Sequence, residues 1–268
     1  MTRARTTLAI VAFAALVGCT VKSPASTPAT APSTLTLYST EASYKLVQDL
    51  AQRFEAEYDH ITVEIRKRSF DTLMAQMDNG EIDYLVSSHV PVREDLWAAP
   101  LAQDGLAIIV NPANSITALS VGDLRSAFGG RQRDWNAFGA EPTAVVPLSY
   151  QASSDVHQEF QRLVMGMTKI TGNALLMPGF EAMLQQVSGL EGAIGYLPLS
   201  GIDDRARALA IDGVRPTESS INDRRYPLRS TIYVIGREAP SADTFHFFGW
   251  VQSEAGQKVV SESYTALP

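Results

Sequence analysis

Apolar and polar residues follow two different periods along this chain, and the two periods alternate. Short runs with apolar residues at every second position, or at nearly every position, predict strands, and apolar residues three or four apart predict helices. The predicted strands cover 35–38, 61–65, 82–86, 106–110, 144–146, 192–196 and 230–235. The first predicted helix ends at about residue 58, and another begins at residue 120. The remaining predicted helices cover 71–79, 156–165 and 245–251. This alternation predicts an α/β fold whose mixed sheets are flanked by helices.

Two segments of this pattern carry more specific information. The strand at 106–110 is apolar at every position, as is typical of a strand buried on both faces of a sheet. Ser120 is followed three residues later by Asp123, which is the spacing of a helix start in which each residue caps the other.

The first residues form a segment separate from this pattern. Arg3 and Arg5 precede an apolar run over 8–17, which is too short to span a bilayer because a membrane helix needs roughly 20 residues. A basic start, a short apolar run and small residues before a cleavage point predict a secretory signal peptide over 1–18.

Cys19 is the only cysteine of the chain and follows Leu16-Val17-Gly18 directly. This sequence resembles the lipobox of bacterial lipoproteins, which implies a diacylglycerol thioether on Cys19 and stable anchoring by several acyl chains. The Ser-, Thr- and Pro-rich segment after it predicts a disordered tether, so that lipidated Cys19 and tether together cover 19–34. We therefore expect an exported protein held on the extracytoplasmic face of the membrane by its lipid anchor only. An ordinary signal peptide that contains a cysteine is the alternative.

The net charge and the absence of several sequence motifs limit the range of possible functions. The net charge is −7 and becomes −9 without residues 1–18, which hold two arginines and no acid. An acidic surface argues against nucleic acid. The sequence has no His-x-x-x-His pair, no Gly-x-Ser-x-Gly turn and no glycine-rich nucleotide fingerprint. We therefore predict neither an enzyme nor a metal site nor a cofactor.

Five segments carry a resemblance to a known family. They are 104–112, 119–130, 134–136, 191–196 and 226–228. Because these segments follow one another in the order typical of the family, the chain resembles the phosphate-type substrate-binding proteins of ABC importers. Those proteins have the two-lobe type II periplasmic-binding-protein fold. The resemblance implies one lobe over 35–108 plus 228–268, a second lobe over 109–227, and crossover strands at 106–110 and 230–235. It also implies a monomer that captures a small oxyanion by lobe closure and delivers it to ABC permease subunits.

The resemblance also implies ligand-binding residues, which are Ser39, Thr40, Arg68, Ser69, Ser88, Tyr150, Ser153, Ser154 and Asp155. Ser39 and Thr40 follow the first strand, where hydroxyls and amides at a helix start can face an anion, although they also suit a plain helix cap. Arg68 and Ser69 lie where family members have a small-residue turn, and a solvated strand end is the alternative.

The chain departs from the family at three of these positions. Tyr150 stands where an arginine is usual, Ser88 stands where an acid is usual, and Asp155 adds a carboxylate that repels an incoming anion. Asp155→Gly is therefore expected to tighten phosphate binding. Two alternatives stay open, namely a different small polar solute, such as one with an amine facing Asp155, and a ligand-sensing lipoprotein without a transport role.

Overall fold

A computed structural model describes residues 32–268 of the chain. The predicted signal peptide, Cys19 and all but the last residues of the predicted tether lie outside the described residues. The first strand begins at Ser33 and so includes two residues that were assigned to the tether. From residue 32 onward, no helix is long and apolar enough to cross a membrane.

The strands of the fold, in chain order, are β1 Ser33–Ser39, β2 Ile61–Lys67, β3 Tyr84–Ser87, β4 Trp97–Val110, β5 Ala118–Leu119, β6 Val146–Ser149, β7 Leu175–Leu176, β8 Ala193–Pro198, β9 Arg207–Ala208, β10 Ala210–Ile211 and β11 Arg229–Gly236. The helices are α1 Glu41–Glu57, α2 Phe70–Asp78, α3 Val121–Phe128, α4 Asp155–Phe160, α5 Phe180–Gly189, α6 Glu218–Asn222, α7 Ala242–Val251 and α8 Glu254–Val260. Short 3-10 helices cover Trp135–Phe138 and Leu199–Gly201, and a π-helical turn over Gln161–Met165 continues α4.

The strands form a mixed sheet in the order β2-β1-β3-β11-β4-β8-β6-β7, with β9 beside β4. Strand β4 belongs to both halves of this sheet. Its first half pairs antiparallel with β11, and its second half pairs antiparallel with β8. Strand β4 therefore carries the chain from one half of the molecule into the other, and β11 pairs with its first half.

The buried apolar residues divide in the same way. One core includes Leu46, Phe54 and Phe247, with a smaller cluster around Leu73 beside it. The other core includes Phe128 and Tyr196. We call the half built around β1–β3, α1 and α2 the first lobe, and the half built around β6–β8, α4 and α5 the second lobe. The exact predicted boundaries at 108/109 and 227/228 stay predictions.

Most predicted elements agree with the structure, but two predicted strands differ in extent and some elements, such as α5, were not predicted. Strand β4 begins at Trp97 and not at residue 106, because residues 97–105 pair with β11 although they lack a continuous apolar run. The strand predicted over 144–146 lies at Val146–Ser149, where pairing with β8 begins. Helix α5 was not predicted, although its buried residues Met183, Leu184 and Val187 lie at helical spacing.

The predicted capping at the start of α3 is present. The Ser120 side chain accepts from the Asp123 amide, and the Asp123 carboxylate accepts from the Ser120 amide at 2.9 Å. The sequence signal for this helix start was therefore correct.

Candidate functional site

A cavity of about 340 Å³ lies between the two lobes. Residues of both lobes line this cavity, and their side chains include charged, hydroxyl and aromatic groups. The lining residues are Glu41, Lys67, Arg68, Ser69, Phe70, Tyr150, Gln151, Ser153, Ser154, Asp155, Met177, Pro178, Gly179 and Phe180.

The sheet topology explains why these residues meet. Strands β1 and β2 are parallel, as are β6 and β7. The chain leaves β1, β2 and β7 toward the cavity, and α1, α2 and α5 begin there with Glu41, Phe70 and Phe180. The amide groups at helix starts carry a partial positive charge and lack intrahelical partners, so three helix starts favour negative charge in this cavity.

A group of hydrogen-bond donors lies at the floor of the cleft, at the end of β1 and of β3. These donors all point to Oδ2 of Asp155, which comes from the second lobe. Thr40 Oγ1 donates at 2.7 Å, Ser88 Oγ at 2.8 Å, the Ser88 amide at 3.1 Å and Ser87 Oγ at 3.4 Å. We call the donors Thr40, Ser87 and Ser88 the cradle. Asp155 is only 1% exposed there, so its carboxylate is held by hydrogen bonds and not by solvent.

Neighbouring hydroxyls position the cradle. Ser39 is fully buried and its hydroxyl lies 2.8 Å from that of Ser43. Ser43 in turn donates to the Val86 carbonyl at 2.7 Å. The Thr40 amide donates to the same carbonyl at 3.0 Å. The start of α1 is thereby fixed against β3, and the Thr40 side chain is left to face the second lobe instead of capping its own helix.

The rim of the cavity carries two basic side chains in different states. Lys67 Nζ pairs with Glu41 Oε2 at 2.5 Å, so its charge is matched. The Arg68 guanidinium donates to the Lys67 carbonyl at 2.7 Å and pairs with no carboxylate in the described part of the chain. Arg68 is therefore available to an anion in the cavity, whereas Arg66, two residues before it, pairs with Glu64 at 3.3 Å.

Tyr150 contributes a buried hydroxyl to the same wall. The residue is 4% exposed and its hydroxyl has no hydrogen-bond partner among residues 32–268. Burial, together with the nearby Tyr196, Glu41 and Asp155, raises the pKa of Tyr150 well above its ordinary value. The hydroxyl therefore keeps its proton and remains a donor for a group that enters the cavity.

A second acidic residue of α4 also contacts the first lobe. Glu159 lies one turn after Asp155, is 4% exposed, and its Oε2 lies 3.3 Å from His89 Nδ1. Burial raises the pKa of Glu159, but hydrogen bonds from Arg162 and His89 outweigh that effect and lower the pKa below its ordinary value. One face of α4 thus carries two carboxylates that bind residues 87–89.

The predicted site residues fall into two groups in the structure. Arg68, Ser69, Tyr150, Ser153, Ser154 and Asp155 line the cavity, whereas Ser39, Thr40 and Ser88 lie beneath it around the Asp155 carboxylate. Whether they bind a ligand stays a prediction. Sequence reasoning missed the Glu41–Lys67 pair, the aromatic rings of Phe70 and Phe180, and the Glu159–His89 contact. For the Glu159–His89 contact, the signal available in the sequence was an Asp at the start of a predicted helix and a Glu four residues later.

The structure also shows the surroundings of His157, the histidine that follows Ser154 by three residues. His157 Nδ1 lies 3.1 Å from the Tyr150 carbonyl and 3.3 Å from Ser149 Oγ, and it makes no hydrogen bond to Ser154. Burial lowers the pKa of His157. Within residues 32–268, no three His, Cys, Asp or Glu side chains are placed to hold a metal ion.

Comparison with known sequences identifies similar proteins over nearly the whole described region. A family model described as "PBP superfamily domain" matches residues 24–260. The phosphate-binding protein PstS of Bacillus subtilis (strain 168) is 23% identical over 252 residues, covering 89% of this chain and 81% of that protein.

Two solved structures resemble the chain closely in fold. A putative phosphate ABC transporter substrate-binding protein with bound phosphate, from Clostridium perfringens, superposes with a TM-score of 0.81 at 21% identity, over 88% of this chain and 100% of that one. An ABC-type phosphate transport receptor from Vibrio cholerae gives a TM-score of 0.76 at 22% identity, with the same coverage. At these identities the likeness establishes a two-lobe α/β fold with a mixed sheet.

Proposed function

The chain belongs to the PBP superfamily, and from this premise we propose that it is an extracytoplasmic solute-binding protein of an ABC importer. It captures phosphate or a similar small oxyanion between its two lobes and passes it to permease subunits. This function is binding and not catalysis.

The observation that carries this proposal is the cavity between the lobes. The starts of α1, α2 and α5, the Arg68 guanidinium and the buried Tyr150 hydroxyl all border one space of about 340 Å³. Among residues 32–268, the Arg68 guanidinium pairs with no carboxylate and the Tyr150 hydroxyl has no hydrogen-bond partner. An anion there would meet partial and full positive charges, and it would supply the partner that the Tyr150 hydroxyl lacks. The relatives reported above are named as phosphate binders, which supports phosphate as the first anion to test.

Capture by lobe closure follows from the position of this cavity. A ligand between two lobes that are joined by β4 and β11 stabilises the closed form by contacting both of them. We propose the lobe boundaries at 108/109 and 227/228 as the limits of this motion, and a monomer as the working unit.

The membrane attachment is a separate part of the proposal. Signal peptide 1–18 and lipidated Cys19 would place the protein on the extracytoplasmic face of the membrane, with the segment up to β1 as its tether. Mass spectrometry of the protein purified from membranes tests this part, because a diacylglycerol adduct on Cys19 as the first residue is expected. An intact N-terminus without lipid would contradict it.

A different solute is favoured by one specific feature of the cavity. Asp155 contributes a carboxylate to its wall, and a ligand with an amine would be attracted to this charge, whereas Glu41 is already paired with Lys67. A ligand-sensing lipoprotein without a transport role would use the same cleft.

The test of anion binding uses two neighbouring arginines as a matched pair. In calorimetric titrations with phosphate, Arg68→Ala should weaken binding by about tenfold or more, because a charge-assisted contact is lost. Arg66→Ala serves as the control, since Arg66 pairs with Glu64 at the surface and does not line the cavity. Equal losses in both variants, or none in either, would contradict an anion site at Arg68.

A further inference from the structure

Oδ2 of Asp155 lies in the cradle and accepts all of its hydrogen bonds there from Thr40, Ser87 and Ser88. Asp155 comes from the second lobe, yet all four donors to its Oδ2 belong to the first lobe. Three of these donors are hydroxyls and one is a backbone amide. This is a donor set suited to one charged oxygen, since each donates and none competes for the negative charge.

The hydrogen bonds between Asp155 and the cradle are buried, so they are not an incidental surface contact. Asp155 and Thr40 are 1% and 0% exposed, and Ser88 is 8% exposed. Helix α1 begins without a side-chain cap because the Thr40 hydroxyl is turned toward Asp155. The first lobe therefore arranges its donors for an anionic oxygen at the expense of a local helix cap.

We propose that Asp155 acts as a tethered oxyanion, which fills the cradle, holds the lobes together in the absence of solute, and must be displaced before an external oxyanion binds there. This inference rests on the proposed function, because it concerns the regulation of the same cleft. Asp155 is a specificity-determining residue in this view, since an anion enters the cradle only if it binds the donors better than the attached carboxylate does.

Attachment to the chain gives the carboxylate its advantage. A group tethered beside its donors competes at an effective concentration that can reach the millimolar range or more. An external anion has to overcome this competition, so its apparent affinity is reduced by the fraction of molecules in which the cradle is free. We expect the wild-type protein to bind phosphate at least tenfold more weakly than a variant without this carboxylate.

A second contact of the same helix supports the holding of the lobes. Glu159 lies one turn further along α4, and it meets His89 of the first lobe and Ser230 of β11. Both carboxylates thus bind the first lobe from one face of α4. If Asp155 alone is released, Glu159 keeps its contacts with the first lobe. We therefore expect the lobes to open only partly.

The experiment compares phosphate binding and lobe opening in the full-length wild-type protein and in variants. Asp155→Ala removes the carboxylate. Asp155→Asn keeps its size without the charge and provides a second variant if the alanine variant folds poorly. Asp71→Asn is the matched control, because Asp71 also accepts a hydrogen bond across the cleft, from Gln158 at 2.9 Å, but does not touch the cradle.

Two readouts are taken from each protein. Calorimetry with phosphate should give at least tenfold tighter binding in Asp155→Ala than in wild type, an intermediate gain in Asp155→Asn, and an unchanged affinity in Asp71→Asn. Small-angle X-ray scattering without phosphate should give a larger radius of gyration for Asp155→Ala than for wild type.

The outcomes separate this inference from the proposed function. If wild type and Asp155→Ala bind phosphate equally well, the tethered oxyanion is overturned while the anion receptor stands. If neither the wild type nor Asp155→Ala binds phosphate, the proposed anion-binding function is wrong. The scattering measurement then tests separately whether Asp155 holds the lobes together. An enlarged Asp155→Ala then supports Asp155 as the element that holds the lobes, and an unchanged radius overturns the inference as well.

Discussion

At the scale of single residues, Asp155 and Tyr150 are both buried but have opposite hydrogen-bonding states. One oxygen of Asp155 receives four hydrogen bonds, whereas the Tyr150 hydroxyl receives and donates none among residues 32–268. A buried polar group without a partner costs free energy, on the order of 1–3 kcal/mol. Such a cost is retained where the missing partner is a ligand, and it makes Tyr150 the more informative residue for ligand contact.

Replacing the Tyr150 hydroxyl tests this directly. Tyr150→Phe should leave the free energy of unfolding of the empty protein unchanged or raise it by about 1 kcal/mol, since no hydrogen bond is lost. Phosphate affinity should fall by about tenfold, because the ligand loses one donor. Denaturant unfolding and calorimetry on the same samples provide the two values.

Tyr196→Phe is the matched control for that substitution. The Tyr196 hydroxyl lies 2.7 Å from Ser149 Oγ and does not line the cavity. This variant should lose about 1 kcal/mol of stability with little change in affinity. The reverse result, with Tyr150→Phe less stable and unaltered in affinity, would contradict the assignment of Tyr150 to the ligand.

Asp104 gives the protein a defined pH dependence. It lies in the middle of β4, where its carboxylate accepts from Ser200 Oγ at 2.6 Å and from the Gly105 amide at 2.7 Å. Burial raises its pKa from 3.8 to about 6, and these hydrogen bonds oppose that rise only partly. The folded state therefore holds this proton to a higher pH than the unfolded state does.

The sign of the effect on stability follows from that difference. Between about pH 4 and pH 6 the unfolded chain loses the Asp104 proton while the folded protein keeps it, so the free energy of unfolding falls as pH rises. The total fall is on the order of 3 kcal/mol, and it is complete above the folded pKa. The difference in unfolding free energy between wild type and Asp104→Asn should change over this range. Parallel profiles would contradict a buried Asp104 that titrates near pH 6.

At the scale of elements, helix α4 of the second lobe places two buried carboxylates, Asp155 and Glu159, against the first lobe. Glu159 is buried, and its pKa is held below the ordinary value by Arg162 and His89 in spite of burial. A lowered pKa means that this carboxylate stabilises the folded state above its unfolded pKa and loses that contribution as pH falls through the folded value.

Glu159→Gln tests the contribution of this contact. At pH 7 the variant should be about 1–3 kcal/mol less stable than wild type, because it loses charge-assisted hydrogen bonds in a buried position. The difference should shrink as pH falls through the lowered pKa of Glu159, because the wild-type carboxylate then becomes protonated as well. A constant difference across pH, measured by denaturant unfolding, would show that the effect is one of packing and not of charge.

The elements also show what could be predicted from the sequence. The apolar periods located β1, β2 and α1 within a few residues, since local burial patterns determine these elements. The Ser120–Asp123 spacing correctly predicted the start of α3. The first half of β4 was missed because distant pairing with β11 stabilises it. Helix α5 was missed although Met183, Leu184 and Val187 give it an apolar period typical of a helix.

The site could be predicted in its members but not in its contacts. Thr40, Ser88 and Asp155 were expected near the ligand, and Asp155 was expected to repel an anion or to face an amine of a different solute. That its carboxylate occupies the cradle depends on how the lobes meet, over a separation of 115 residues between Thr40 and Asp155. Such a distance in sequence leaves no local pattern that could predict the hydrogen bond.

At the scale of the whole molecule, the cleft combines a space for a solute with contacts that already join the lobes. The cavity lies at the helix starts, and the carboxylates of α4 lie beneath it on the end of β3. The proposed solute binding and the proposed lobe closure therefore depend on the same few residues. The energy available to a solute is the difference between its own contacts and those of Asp155.

The measurement that tests oxyanion capture most directly is a crystal structure of the protein grown at a saturating phosphate concentration. We predict a tetrahedral anion between the lobes that accepts hydrogen bonds from Thr40 and Ser88, with the Asp155 side chain turned out of the cradle. A cleft without an anion, in which Asp155 keeps its hydrogen bonds to both residues, would contradict oxyanion capture at this site.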